Sequence, residues 1–158
     1  MKSATSLIEE HEEAEAIKVV TEEFKNLTGH AELPRPCGYK LAVKIYIRPE
    51  ELKTIDTPEG KKTLYLPHQS RDSDKWTNCV GLVVGVGPGA YKGKNPDGSD
   101  KYPEGPWCKI GDWVIFPRYE SQVFMWRGVA MMNINDDAVQ QVVGDPRDVQ
   151  AGHTIDKY

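Results

Sequence analysis

Cysteine is scarce in this 158-residue chain: Cys37, Cys79 and Cys108 are odd in number, far apart and never arranged as Cys-x-x-Cys. That spacing gives no disulfide framework and fits a reducing cytosol. Long apolar runs are missing too. Nothing approaches the roughly 20 residues a membrane-spanning helix needs, and the N-terminus lacks the apolar core of a secretory signal, so the chain is expected to be soluble. The Asn26-Leu27-Thr28 sequon carries no weight without secretion. Basic residues never gather into a stripe interleaved with aromatics, which argues against nucleic acid as a partner. His11, His30, His68 and His153 are scattered, never two within metal-ligand spacing of a cysteine pair, so no metal site is expected. No Gly-x-Ser-x-Gly elbow or nucleophile with a local base appears, and no repeat occurs at a 20 to 50 residue period. The expectation is a protein without catalytic residues, cofactor or metal.

The charge that is present is uneven. Net charge is −4, but residues 1 to 32 hold eight glutamates against Lys2, Lys18 and Lys25. Ser6 followed by Glu9 reads as a capping box, and Ile17, Val20, Phe24 and Leu27 recur at helical spacing until Gly29. A helix is therefore expected over 7–28 within an acidic N-terminal extension, 1–33. Its stripe is only two heptads long, too short for an independent coiled coil, so the helix must lean on its own subunit, on a neighbour or on a separate assembly.

After Pro34 and Pro36 the pattern becomes short alternating segments: 39–47, 80–86, 113–116, 122–126, 129–134 and 139–143. This is an all-β pattern. Arg127-Gly128 is a two-residue hairpin connection between the fourth and fifth of these. In Val80–Val86, one face is expected to carry Val80, Leu82, Val84 and Val86. The other carries Gly81, Val83 and Gly85, where another backbone can approach. Gly85-Val86-Gly87-Pro88-Gly89-Ala90 formally matches a dinucleotide fingerprint, but the irregular, Gly- and Pro-rich stretch behind it offers no helix to receive a pyrophosphate. Asp97-Gly98-Ser99-Asp100 lacks the alternating ligands and distal Glu of a calcium loop and reads as a turn.

Residues 51–76 are strongly polar, with ten charged side chains, Pro58 and Gly60. Such a segment is expected to be a mobile loop that cannot order itself. Leu64-Tyr65-Leu66-Pro67 sits alone in it. An exposed Leu64, Tyr65 and Leu66 need something to bury them, either the chain's own core or a partner.

In order, Gly38–Lys44, Leu64–Pro67, Val80–Gly89, Lys109–Phe116 and Asn135–Val139 resemble the GroES family of small co-chaperonins over residues 34–143. The resemblance implies a GroES-like irregular β-barrel domain (34–143) with a mobile loop (51–76) and an elaborated loop (88–107). A helical N-terminal extension precedes it and a flexible C-terminal tail (144–158) follows. It implies a homo-oligomer, a heptameric ring in which the first strand of one subunit meets the last of its neighbour. Leu64, Tyr65 and Leu66 would bind a groove on a GroEL-type chaperonin and assist protein folding in the cytoplasm. The family places two glycines before the apolar triplet, whereas here Lys61-Lys62-Thr63 follows a single Gly60. That difference, the long loop, the acidic helix and the tail make the chain most similar to bacteriophage-encoded GroES-like proteins, whose site of action is the host cell cytoplasm. The alternative is a virion structural protein, a capsid decoration (cement) protein that keeps the barrel and grips capsid proteins with its helix, long loop and tail.

Overall fold

A computed structural model describes residues 3–46, 52–65, 79–117 and 121–149. Helix α1 runs from Ala4 to Thr28. It starts one turn before the expected residue 7, because Ser3 and not Ser6 is the cap: its Oγ accepts the Ser6 N–H at 3.2 Å. Gly29 ends it in the left-handed region, φ 77°, with its N–H donated to the Lys25 carbonyl.

Eight strands follow: β1 (Lys40–Ile45), β2 (Leu52–Thr57), β3 (Gly60–Tyr65), β4 (Cys79–Val86), β5 (Trp113–Phe116), β6 (Phe124–Trp126), β7 (Val129–Asn135) and β8 (Gln141–Val143). Six form one antiparallel sheet in the order β6-β7-β1-β4-β5-β8, and β2 pairs with β3 alone. The expected barrel is corrected here. Among the described residues no ladder joins β6 to β8, so the sheet is open, with three-residue strands at both edges. Strand β1 is hydrogen-bonded on both sides, by β4 and β7. A neighbour seeking strand pairing would therefore meet β6 or β8 and not β1.

Both faces of the sheet's centre are covered by other elements. Alternation puts Ala42, Leu82, Val84, Val129 and Met131 on one face, where α1 lays Val20 and Phe24 over them. Phe24 is fully buried and meets the Trp126 ring at 5.7 Å between centroids. Lys44 Nζ on the same face donates to Glu23 of the helix at 2.6 Å. Leu41, Val43, Val83, Val114, Phe116, Met132 and Ile134 point to the other face, under Tyr91, Tyr102 and Cys108 of the long loop. The helix thus leans on its own subunit through its second half. Leu27 of the expected stripe stays half-exposed, as do Leu7 and Ile8 upstream.

Strand β4 departs from simple alternation. Ala42 pairs with Gly85 and Val43 with Val83, so Val84 is an extra residue. This bulge reverses the phase, and Val86 packs with the Val83 core and not with Leu82 and Val84. Backbone does approach closely beside it: a Cβ on Gly85 would stand 2.7 Å from the Pro34 carbonyl oxygen, and one on Gly87 only 2.3 Å from that of Gly38.

Phe24→Ala should lower unfolding free energy by about 3 to 5 kcal/mol, the usual range for truncating a buried Phe. Leu27→Ala, at a half-exposed position of the same helix, should change it by less than about 1 kcal/mol. Urea denaturation of the two variants checks the contrast.

Candidate functional site

The excursion that leaves the sheet between β1 and β4 begins as a hairpin. Thr57-Pro58-Glu59-Gly60 supplies the turn, with proline at its second position and Gly60 at φ 120°. The ladder runs from Thr57 opposite Gly60 to Leu52 opposite Tyr65. Over 52–65 this polar stretch is a paired hairpin. Two six-residue strands pair locally there. Leu64 and Tyr65 are the last two residues of β3, facing Lys53 and Leu52 in the register. Leu66 and Pro67 lie outside the described residues. Among the described residues the hairpin shares no ladder with the main sheet, although both its ends lead to central, neighbouring strands of that sheet.

The long loop, expected as an irregular excursion, is irregular but tightly held. Tyr91, Tyr102 and Trp107 pack edge-on or tilted, with centroids 5.0 to 5.6 Å apart. Asp136, 5% exposed at the end of β7, ties the loop down: one carboxylate oxygen accepts the Tyr91 N–H at 2.9 Å and the other the Tyr102 hydroxyl at 3.0 Å. Tyr91 is held at φ 61°, a left-handed conformation that a bulky residue adopts only under constraint. Behind it the Tyr91 hydroxyl and the Cys108 thiol share a 3.4 Å hydrogen bond. Burial first, then that bond, pushes the Tyr91 phenol well above its usual range. Burial pushes the Cys108 thiol up to about 11, only partly offset by the Tyr91 bond. Neither group is poised as a nucleophile near neutrality.

Between this loop, the Gly38-Tyr39 turn and the end of β7 lies an open cleft of about 520 Å³. Lys92, Lys94 and Lys101 line it together with Asn135, Asp136 and Asp137. Lys101 donates to Asp137 at 3.2 Å, Lys94 to Asp100, and Lys40 to the Asn135 side-chain carbonyl. Among the described residues no cluster of three or more His, Cys, Asp or Glu can hold a metal ion. No described helix is long and apolar enough to cross a membrane.

Sequence reasoning did not find the hairpin or the cleft. The β-branched residues of Leu52–Thr57 followed by Pro58-Glu59-Gly60 are a strand-and-turn signal that would have exposed the first. The second has no sequence signal, since its residues come from three separated segments. No protein-family model matches the chain, and no curated protein is similar to it.

Cys108 and Tyr91 bind their protons more tightly in the folded chain than in the unfolded one. Their contribution to stability is whole below the unfolded thiol's value of 9.0 and declines as pH rises toward about 11. Urea midpoints measured from pH about 8 to about 11 should fall, and Cys108→Ala should make the early part of that fall shallower.

Proposed function

We propose that the protein is a GroES-like co-chaperonin of the bacteriophage type, an oligomer that caps a GroEL-type chaperonin through Leu64, Tyr65 and Leu66. The supporting observation is the placement of the hairpin. It pairs only with itself among the described residues, yet in the chain it lies between β1 and β4, the two central strands of the six-stranded sheet. An apolar segment carried this way can engage a partner without disturbing the body that bears it.

The energetics favour several copies acting together. Burying Leu64, Tyr65 and Leu66 in a groove would stabilise a complex by roughly 5 to 8 kcal/mol, at about 1.5 to 3 per side chain. Ordering the residues around them opposes this by about 1 to 2 kcal/mol each. One arm is close to break-even. Arms mounted on one oligomer make the later contacts intramolecular, which yields useful but reversible affinity. Nucleotide hydrolysis would belong to the chaperonin, with this chain as its lid.

Leu64→Asp with Leu66→Asp should abolish co-sedimentation with a GroEL-type ring in the presence of nucleotide, while the circular dichroism spectrum and melting temperature stay close to wild type. Undiminished co-sedimentation of the folded variant rules the reading out.

The virion reading is favoured by a separate observation. The first half of α1 is exposed beyond its contact with the sheet, with Leu7 53% and Ile8 59% accessible beside Glu9, Glu12 and Glu13. Such an arm suits a capsid lattice. Mass spectrometry of purified particles separates the two: a stoichiometric virion component supports the lattice role, and absence from particles supports the lid.

A further inference from the structure

The cleft beneath the long loop takes no part in the proposed lid role, and its lining selects a class of ligand. Three lysines and two carboxylates line it, and most of them are already engaged. Lys101 is bonded to Asp137 and Lys94 to Asp100, while the buried Asp136 carboxylate is part of the lining. An anion entering it would meet Asp136 and Asp137; a cation would meet Lys92 and Lys101. Like-charge contact at this range works against either.

A neutral polyhydroxylated ligand satisfies both sides, because each hydroxyl donates one hydrogen bond and accepts others. Lys92 and the remaining Lys101 hydrogens are donors. So is the Asn135 amide nitrogen, since its carbonyl is occupied by Lys40. The carboxylate oxygens of Asp137 are acceptors. Tyr39, 53% exposed at the rim, adds an aromatic surface of the kind on which the C–H face of a sugar ring stacks. The cleft is also preformed. A Cβ on Gly87 would stand 2.3 Å from the Gly38 carbonyl oxygen, Gly89 N–H donates to that oxygen at 2.8 Å, and Asp136 pins the loop. Rigid walls reduce the ordering that binding would otherwise require.

We propose that this cleft binds a saccharide unit, with Tyr39 as stacking surface and Lys92, Lys101, Asn135 and Asp137 as the hydrogen-bonding groups. The site stands independently of the chaperonin reading, since Leu64–Leu66 belong to another segment and the two tests share no residue.

The experiment is ¹⁵N-resolved NMR titration of the full chain. The probes are neutral hexoses, N-acetylhexosamines and their disaccharides at up to tens of millimolar, the range set by weak single-site binding. Inorganic phosphate is the anionic comparison. At least one saccharide should shift the Gly38, Gly89 and Gly93 amides saturably, and phosphate should not. Tyr39→Ala and Asp137→Ala, both at exposed side chains, should each weaken that affinity at least about tenfold with melting temperature unchanged. The proposal is overturned if no saccharide moves those amides, if phosphate saturates the cleft instead, or if both folded variants keep wild-type affinity.

Discussion

A sheet whose strands are apolar on both faces has to be covered twice, and that requirement organises this molecule. Strands β1, β4 and β7 send alternate residues into two separate cores, with Leu41, Val43 and Ile134 on one side and Ala42, Leu82 and Met131 on the other. A barrel solves half of that problem by closing on one face. Here α1 supplies one cover through Val20 and Phe24, and the long loop supplies the other through Tyr91 and Tyr102. That cover stops short of the edge strands, where Phe124, Met125 and Val142 stay exposed, and among the described residues no ladder joins β6 to β8.

The second cover would be a poor one without Asp136. A loop rich in Gly, Pro and Lys has little regular hydrogen bonding to hold it. A buried carboxylate accepting from one backbone amide and one phenol fixes it at two points eleven residues apart. The three-ring stack fills the space beneath. The same fastening holds Tyr91 in a left-handed conformation and leaves a preformed cleft beside Tyr39. Loop order and the shape of the cleft thus share one cause. The β2–β3 hairpin sits outside this arrangement, attached to the rigid sheet by its ends while pairing only with itself among the described residues.

Much of the local structure was legible in the residues. Helical spacing from Ile17 to Phe24 and the glycine at 29 located α1 and its stop. Alternation located the six strands of the main sheet to within a few residues, and Arg127-Gly128 announced the β6–β7 turn, where both residues take positive φ. Where the reading failed, a competing local term had been undervalued. Ser3 offered the Ser6 cap chemistry one turn earlier. A proline-led turn made a hairpin that the reading had not placed, and a single bulge at Val84 reversed which face Val86 serves.

By itself, then, the chain's own order of residues determined which segments become helix and strand, because those choices depend on neighbours three or four positions away and on turn chemistry. It also placed Leu64, Tyr65 and Leu66 in a polar surrounding, where they are the only apolar cluster. Only the tertiary structure decided that the sheet remains open, that Asp136 is the fastening of the long loop and that Tyr39, Lys101 and Asp137 face one cleft. Those outcomes depend on contacts between segments 34 to 98 residues apart in sequence, and no local pattern encodes which distant partner will cover a face or accept a proton.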